Sequence, residues 1–320
     1  MKILKLLITV LVLLIGVVIS LSIGTTPDLL SYSWDKIYVV IFDIRLLQVV
    51  AGIVVGLTLG TSGLLTQGMF RNALASPDIL GVSSASVLGV VICYILGFYS
   101  SLVSFGFSFI FATLLSLFLS FLARYSFYSL LLIGISLSLL CSSISSLLVS
   151  SFIFQNKNIY SLLYWLYGDI IINSWKDILV LFIPTVICFY CGFILSGKLD
   201  VLSLGEDSST TLGINIKRFK IKLIFVISTM ISISVAIAGG LSFIALIAPH
   251  ITRLMWGPNH KRLFIISGIN GASLVVYADI LHKLLVNSYK NVQLGIITSF
   301  LGACFFLFIL ISQLKHSSVN

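Results

Sequence analysis

The stretch Arg71-Asn72-Ala73-Leu74-Ala75-Ser76-Pro77-Asp78-Ile79-Leu80-Gly81 (the hinge) places polar residues and a proline between two long apolar runs. In a chain of 320 residues that is 59% hydrophobic, the runs on both sides predict membrane-embedded helices. A bilayer offers no water to backbone N–H and C=O groups, so a broken helix is tolerated there only inside protein or beside a wet cavity. The hinge therefore predicts a multi-helix bundle with a transport function.

The composition of the whole chain agrees with a membrane location. Only 9% of the residues are charged, whereas a soluble globular domain has about 25%. Lys2 and Lys5, followed by an apolar run over 6–23, resemble a secretory signal. The run is nevertheless long enough to span a bilayer, at about 20 residues, and many spans follow it. We therefore interpret it as the retained first helix of an all-α integral membrane protein.

Hydrophobic runs and the breaks between them predict about ten transmembrane helices. The predicted helices cover residues 3–24, 45–67, 79–99, 102–122, 127–152, 176–196, 221–240, 241–256, 263–286 and 293–314. With the N-terminus inside, most of the 19 Lys and Arg residues fall on the cytoplasmic side, as the positive-inside rule expects. An even number of helices then places the N- and C-termini both in the cytoplasm.

The sequence shows no soluble domain. Its longest polar segments, 25–44, 155–175 and 197–220, are too short to hold a hydrophobic core of their own. We therefore predict a single transmembrane domain over residues 1–320, and any energy source must come from another chain. The net charge of +9 does not indicate nucleic-acid binding, because the cations are scattered among short loops.

Motifs for catalysis or metal binding are weak. Residues 192–198 fit the first seven positions of a phosphate-binding loop, but Leu199 stands where Ser or Thr would hold magnesium, and Gly192 lies inside a predicted helix. No H-E-x-x-H motif or paired carboxylates occur within a predicted helix, which disfavours an intramembrane enzyme. The five cysteines lie in apolar runs and the four histidines in different places, so we predict no metal site.

Small residues recur at every fourth position on two predicted helices, from Gly52 to Gly60 and from Gly134 to Ser146. Such a stripe lies on one helix face, where it either allows a neighbouring helix to approach closely or lines a narrow polar path. Our candidates for the substrate path are Ser83, Ser84, Ser138 and Ser142. The alternative role for all four is packing.

The segment Leu204-Gly205-Glu206-Asp207-Ser208-Ser209-Thr210-Thr211-Leu212-Gly213 is the only compact acidic segment on the predicted cytoplasmic side. Its Ser and Thr side chains can cap a short helix, and Gly213 can close that helix. A short helix on the inner face would be a docking element for another protein. The alternative is a solvated connector.

Two other segments place polar groups inside apolar helices. Pro249, in the run 248–253, frees the carbonyl of Ala245, which a neighbouring polar group can then bond. Within the same run we interpret His250 as a structural histidine that bonds backbone or Asp, rather than as a metal ligand. Asp279 and Lys283 are four residues apart near the outer end of the ninth helix, so they can pair and lower the cost of intramembrane charge.

Four blocks of the sequence, in chain order, resemble the FecCD family, the permeases of iron-siderophore, haem and cobalamin ABC importers. The blocks are 45–48 before the glycines of 52–68, then 67–84, 204–213 and 240–253. The resemblance covers nearly the whole chain and implies a type II ABC importer permease with ten spans in a bacterial cell (inner) membrane. It also implies a second permease subunit, two cytoplasmic ATPase subunits and an external substrate-binding protein.

The resemblance also assigns roles to individual residues. The loop that meets the ATPase matches Gly205, Glu206, Leu212 and Gly213, which favours docking as the role of that segment. Arg45 matches a family arginine, and Lys283 replaces one, that receive acidic residues of the binding protein. The remaining motif positions are regarded as structural: Arg71, Asn72, Pro77, Pro249, His250 and Arg253.

Two positions depart from the family pattern. Gln48 stands where a second arginine is usual, and residues 291–295 replace a Glu-x-Pro-x-Gly pattern. Opposed charges mainly set the encounter rate and register of a complex, so a missing cation weakens docking on this subunit. We therefore predict that a different permease subunit supplies the charge, which makes the pair a heterodimer.

The sequence thus predicts a permease subunit, without catalytic residues or a bound cofactor, that carries ferric-siderophore chelates from a binding protein into the cytoplasm. ATP and magnesium would be used by the partner ATPases. Haem or cobalamin is the alternative cargo. A channel or secondary transporter without ATP coupling is the alternative class, and such a protein has no need of the docking segment at 204–213.

Overall fold

The computed structural model describes residues 2–24, 40–122, 127–153, 165–170, 174–289 and 292–317, together with Leu162 and Ile172. The regular structure in these ranges is helical. Its elements are α1 Lys2–Ser22, a π-helical segment Val40–Arg45, α2 Leu46–Phe70, α3 Val82–Ile95, α4 Ser101–Leu122, α5 Phe127–Ile153, α6 Trp175–Leu202, α7 Glu206–Thr211, α8 Ile216–Ala238, α9 Ile244–Trp256, α10 His260–Tyr289 and α11 Leu294–Ser317.

The ten predicted helices are confirmed in the described part of the chain. Seven helices are long and apolar enough to cross a membrane, and three shorter apolar segments, α3, α9 and 294–308 within α11, accompany them. The main differences lie at helix ends. The third helix begins at Val82 instead of residue 79, because Gly81 has a φ of 78° and caps it in the left-handed region. The sixth continues to Leu202, beyond residue 196.

Close packing of α2 against α10 forms the centre of the bundle. A side chain at Gly56 would collide with the backbone of Gly271 and Ala272, and one at Gly60 would collide with the carbonyl of Ser267. The Ser267 hydroxyl donates to the Gly60 carbonyl at 2.7 Å. The glycine stripe of α2 therefore serves helix packing, which was one of its two predicted roles, and this contact explains why small residues are required there.

The proline of α9 has the position that the sequence predicts, but the polar bond beside it is made to a different carbonyl. Pro249 lies inside the helix, and the Ala245 carbonyl that it leaves free faces Gly63 of α2, where a side chain could not be placed. One residue further on, the Leu246 carbonyl accepts from Gln67 Nε2 at 3.4 Å. The helix is thus held against α2 by the close approach at Gly63 and by the bond from Gln67, which goes to the Leu246 carbonyl and not to the predicted Ala245 carbonyl.

The hinge is an ordered series of turns. Arg71 ends α2 with a φ of 51°, and the Asn72 N–H bonds back to the Gln67 carbonyl at 3.0 Å. The Asn72 side chain then accepts from the Leu74 N–H at 2.8 Å, which closes a local turn. Buried Pro77 follows, and Gly81 starts α3. The Asn72 groups are therefore bonded within the break itself, whereas the side chains of Arg71 and Asp78 contact residues outside it.

Candidate functional site

A cavity of about 520 Å³ lies where two breaks in the helices meet α5. One break is the hinge, which contributes Asp78. The other is the connection between α8 and α9, where Gly239 has a φ of 64° and Phe243 a φ of 68°. Gly240, Leu241 and Ser242 of this connection line the cavity. Irregular backbone beside a cavity is the arrangement expected of a transporter at membrane depth.

Hydroxyl groups form most of the polar surface of the cavity. The lining serines are Ser83, Ser84, Ser138, Ser142, Ser145, Ser146, Ser150 and Ser242. The Oγ atoms of Ser84 and Ser138 are 2.7 Å apart, so α3 and α5 are bonded across the cavity wall. The four serines predicted for the substrate path are therefore brought together on one surface, and their role in transport stays a prediction.

Among the described residues that line the cavity, Asp78 is the one with a formal charge. Its Oδ1 atom accepts from the Ser83 hydroxyl, and the backbone N–H of Phe243 is directed at the same carboxylate. The acid thereby connects the hinge to the second break. Sequence reasoning quoted Asp78 within the hinge and did not select it as a lining residue. The available signal was a carboxylate in an otherwise apolar chain, which is costly in a membrane and therefore a candidate for function.

The hinge rests on α5 through glycine. Gly81 lies against the Gly134 carbonyl and the backbone of Ser138, and a side chain at Gly134 would meet Leu80. The first member of the α5 stripe therefore packs, while Ser138, Ser142 and Ser146 line the cavity. The stripe thus packs where the hinge covers it, at Gly134, and lines a cavity beyond, where its use as a path stays a prediction.

The segment at 204–213 forms the predicted short helix, α7. Gly205 precedes it with a φ of 117°, and Gly213 follows it with a φ of 83°, so both glycines permit turns that other residues would strain. The Ser209 hydroxyl donates to the Gly205 carbonyl at 2.6 Å and to the Val201 carbonyl at 3.0 Å. This bond fixes α7 to the end of α6. Leu204 and Leu212 remain 68% and 64% exposed on either side of it.

Three charged side chains, Arg71, Glu206 and Lys220 (the coupling cluster), connect α7 to the hinge. Glu206 Oε1 is 2.7 Å from Lys220 Nζ and 3.9 Å from an Arg71 guanidinium nitrogen. The hydrogen bond from Lys220, aided by the charges of Lys220 and Arg71, holds the pKa of Glu206 below its usual 4.5. Arg71 is the first residue of the hinge, so this pair joins α7 to the hinge.

At the opposite end of the bundle, Ser20, Asp279 and Lys283 form a buried cluster. Lys283 Nζ lies 2.7 Å from Asp279 Oδ2 and donates to Ser20 Oγ at 2.8 Å. The Ser20 hydroxyl in turn donates to Asp279 Oδ2 at 2.9 Å. The predicted pairing of Asp279 with Lys283 is confirmed, and the structure adds that it fastens α10 to α1.

Arg45 lies beside this buried cluster and is only 4% exposed. Its Nη1 donates to the carbonyls of Leu21 and Ser22 at 3.0 Å, the last carbonyls of α1. Lys283 is 3% exposed as well. Both cations predicted to receive the binding protein are therefore turned into the bundle in this conformation. Their docking role stays a prediction, and it requires that a partner exchange these internal bonds.

The residues regarded as structural lie at the two breaks and on α9. Arg71, Asn72 and Pro77 belong to the hinge described above. The ring of His250 meets Phe305 of α11 edge-on, with centroids 6.1 Å apart, so it packs between helices. Among the described residues it makes no bond to backbone or Asp, and that predicted bond stays a prediction. Arg253 is in the last turn of α9, where its carbonyl accepts from Gly257. Within the described ranges, no cluster of three His, Cys, Asp or Glu side chains could hold a metal ion.

Known proteins resemble this chain over almost its full length. The FecCD transport family matches residues 4–312. The molybdate import system permease protein MolB of Haemophilus influenzae is 32% identical over 330 residues, 97% of this chain and 96% of the relative. The Fe(3+)-citrate import system permease protein YfmD of Bacillus subtilis is 30% identical over 322 residues, 96% of this chain and 94% of the relative.

A solved structure of an ABC transporter is also similar to this chain. It is described as an inward-facing conformation of an ABC transporter of the metal-chelate type, with a TM-score of 0.83 and 30% sequence identity. The superposition covers 96% of this chain and 99% of that chain. The two chains therefore share one fold from the first helix to the last. The relatives have a permease role in common and differ in the cargo that their names state.

Proposed function

This chain belongs to the FecCD transport family, and we propose that, as the permease subunit of an ABC importer, it passes a ferric-siderophore-type chelate inward through the cavity beside the hinge. The ATPase activity of such an importer resides in partner subunits. The observation that carries the proposal is the cavity of about 520 Å³ at the meeting of two helix breaks. Its serines offer many separate hydrogen-bond partners that do not enclose the substrate. Such a surface suits a large polar complex that has to bind in the cavity and then be released from it.

The charge of the cavity favours a ferric chelate over an oxyanion. YfmD is named for Fe(3+)-citrate and MolB for molybdate, so relatives of similar identity do not decide between the two classes. In this chain the formally charged lining group is the Asp78 carboxylate. Molybdate has only acceptor oxygens and cannot donate to this carboxylate, whereas a siderophore has amide or hydroxyl groups that can donate to it and other groups that accept from the serines. Haem and cobalamin are the alternative cargoes, and they are outcomes of the test below.

The proposed assembly contains this chain, a second permease subunit, two ATPase subunits that use ATP and magnesium, and an external binding protein. The second permease would complete the cavity from the open side of α5. Gln48 in place of a family arginine supports a heterodimer. This part of the proposal fails if the chain, supplied only with its ATPase and binding protein, restores full uptake. Both termini would lie in the cytoplasm, on the side where α7 meets the ATPase.

The coupling cluster supplies a physical route from ATP to the cavity. Binding of an ATPase on α7 and the exposed Leu204 and Leu212 would displace Glu206, which pulls on Arg71 at the start of the hinge. Asp78 and Ser83 follow within the same irregular segment and line the cavity. Nucleotide would thus bias the bundle between its inward and outward states by acting on one break in one helix.

Uptake of labelled iron tests the proposal. Cells with and without this chain are offered catecholate and hydroxamate siderophores, haem and, separately, labelled cobalamin. We expect loss of uptake for a ferric siderophore alone. Loss for haem or cobalamin would instead select that alternative, and loss for molybdate, measured in parallel, would contradict the argument from Asp78.

A variant pair on α5 tests the cavity itself. Ser138→Leu places an apolar group against Ser84 in the cavity wall and should reduce uptake at least tenfold, on the order expected when a polar site is blocked and left unpaired. Ser136→Leu is the matched control, because Ser136 is exposed on the same helix and bonds only to its own backbone at Leu132. Equal uptake by the two variants would show that the cavity is not the path.

A further inference from the structure

The electrostatic character of the cavity beside the hinge limits the net charge of its cargo. Within the described lining, no Lys, Arg or His accompanies the Asp78 carboxylate. The carboxylate is fixed in place, because its Oδ1 accepts from the Ser83 hydroxyl and the Phe243 N–H is directed at it. Both donors are neutral groups. They orient the carboxylate and leave its negative charge uncompensated by a cation of the described lining.

The two cations that are buried in the described ranges lie in another part of the bundle. Arg45 donates to the last carbonyls of α1, and Lys283 is paired with Asp279. Neither cation lines the cavity, whose walls are α3, α5, segment 165–170 and the two breaks. Two charges interact more strongly in surroundings of low dielectric constant than in water, so the charge of Asp78 acts on any charged group that enters the cavity.

The other polar groups of the lining are hydroxyls that can bond a neutral cargo. The hydroxyls of Ser84 and Ser138 are bonded to each other. Ser142 and Ser146 are exposed on the cavity face of α5 and make no hydrogen bond within the described part of the chain. A hydroxyl donates one hydrogen bond and accepts others. This face can therefore bond the carbonyl oxygens and the N–H groups of one ligand.

The apolar part of the lining is mostly aliphatic. Its described members are Val87, Val149, Leu166 and Leu241, and Tyr167 is the one aromatic residue among them. Aromatic ligands gain binding free energy from stacking and edge-on contacts with aromatic side chains. The described surface therefore offers little to a porphyrin plane or to a set of catechol rings.

Ferric chelates of different classes differ in net charge. A ferric ion bound by three hydroxamate groups is neutral, because each group contributes one negative charge. With three catecholate groups the complex is a trianion, and haem carries two propionate groups. The carboxylate of Asp78 disfavours both anionic cargoes, since a like charge at the site costs binding free energy. It admits a neutral chelate and attracts one that has an ammonium group.

We propose that Asp78 makes this cavity selective for ferric hydroxamate chelates that carry no net negative charge. The inference rests on the proposed function and narrows its cargo. The hydroxyls of Ser142 and Ser146 would bond the hydroxamate and amide groups, and Asp78 would repel an anionic chelate in the same cavity. Asp78 is then a specificity-determining residue, and the selectivity of the importer does not reside in its external binding protein alone.

Two forms of one chelate test this proposal. A linear ferric trihydroxamate that ends in an ammonium group is compared with the same compound after succinylation, which ends in a carboxylate. The complete importer is reconstituted in vesicles, and its binding protein is saturated with either form, so that affinity for the binding protein does not decide the result. We expect uptake of radiolabelled iron to be about tenfold faster for the ammonium form, on the scale of two unit charges at reduced dielectric constant. Equal rates, or faster uptake of the succinylated form, would overturn the proposal.

A ferric catecholate in the same assay separates failure of this inference from failure of the proposed function. Uptake of the catecholate, with neither hydroxamate form transported, would overturn the inference and leave the ferric-siderophore permease intact. Uptake of neither class would contradict the proposed function itself.

Matched variants test whether the selectivity arises in the cavity. Asp78→Asn keeps an acceptor for the Ser83 hydroxyl and the Phe243 N–H but removes the charge, so the two forms should enter at nearly equal rates. Asp43→Asn makes the same change at an exposed position of the π-helical segment, outside the cavity, and should keep the preference. Ser142→Lys adds a cation to the cavity face of α5 and should favour the succinylated form more than Ser142→Gln, which adds bulk without charge. An unchanged preference in both Asp78→Asn and Ser142→Lys would exclude the cavity as the source of selectivity.

Discussion

The coupling cluster and the buried cluster occupy opposite ends of the bundle, and each joins two elements through a lysine and a carboxylate. In both, the shortest ion-pair distance is 2.7 Å. Their surroundings differ: the Glu206 and Arg71 side chains are 45% and 46% exposed, whereas those of Lys283 and Asp279 are 3% and 9% exposed. The two ion pairs have similar lengths, but their different exposure to solvent gives them different interaction free energies.

Burial decides which of the two clusters can change partners. Charges in a low-dielectric interior are expensive to separate, so a buried pair holds one arrangement. Charges that remain in contact with water exchange partners at little cost, because solvent replaces most of the interaction. The buried cluster is therefore suited to fastening α1 to α10. The coupling cluster is suited to a contact whose ion pairs can change when an ATPase docks on α7.

The largest effect is expected at Lys283. Lys283→Met leaves the Asp279 carboxylate buried without its cation and should lower the free energy of unfolding by about 3–5 kcal/mol. Thermal unfolding of the purified chain in detergent measures the change. The double variant Lys283→Met/Asp279→Asn removes both charges and should recover most of the loss. A single variant as stable as the unmodified chain would show that the buried cluster does not hold α1 to α10.

The second effect is expected at Arg45. Arg45→Gln leaves the carbonyls at the end of α1 without their donor and should cost about 1–3 kcal/mol of unfolding free energy. Arg45→Lys keeps the charge and loses the planar fork that reaches two carbonyls, so it should recover only part of that loss.

The same two variants test the docking role predicted for Arg45. If this arginine attracts the binding protein, Arg45→Lys should keep the association rate at low salt and Arg45→Gln should reduce it. Stopped-flow binding to the assembled importer measures that rate. Equal rates for all three proteins would leave Arg45 with a structural role alone.

Local physical rules made much of this fold predictable from the sequence. The apolar runs gave the helices, and the four-residue spacing from Gly52 to Gly60 indicated close packing, because each feature depends on one segment and on the bilayer. The hinge was recognisable for the same reason, since Pro77 and its polar neighbours cannot continue a helix. The same four-residue spacing on α5 indicated Ser138 and Ser142 as candidates for the substrate path.

Features that depend on two distant segments were not predictable in this way. Ser242 lines the cavity because the connection of α8 to α9 meets the hinge, and Tyr167 lines it because segment 165–170 packs against Gly239 and Gly240 of that connection. No local pattern specifies either meeting. The burial of Arg45 was missed as well, and for Lys283 the intramembrane pair with Asp279 was predicted beside a docking role that its burial opposes. Their docking role was carried over from a family pattern, whereas their exposure depends on where α1 ends relative to α10.

A small stability effect with a large functional effect is expected at Glu206. Glu206→Arg places three cations together and should change the free energy of unfolding by no more than about 1 kcal/mol, because the site is exposed. It should nevertheless uncouple ATP hydrolysis from uptake, which is measured with the importer reconstituted in vesicles. Asp207→Arg makes the same charge change on the next residue of α7, outside the coupling cluster, and should uncouple less. If uptake per ATP hydrolysed is equal in the two variants, Glu206 does not transmit the effect of ATP to the cavity.

The smallest effect is the pH dependence of the coupling cluster. Glu206 has a folded pKa below the usual 4.5, so its contribution to stability is present above pH 4.5 and is lost as the pH falls through the lowered pKa. Solvent screening keeps this contribution small.

Glu206 is the only glutamate in the sequence, so ¹³C-glutamate labelling of the purified chain gives one carboxyl resonance to titrate. Lys220→Gln should move its pKa upward more than Arg71→Gln, because the bond to Lys220 is the larger cause and the Arg71 contact is 3.9 Å long. The reverse order would mean that the hinge, and not α8, is the main partner of α7.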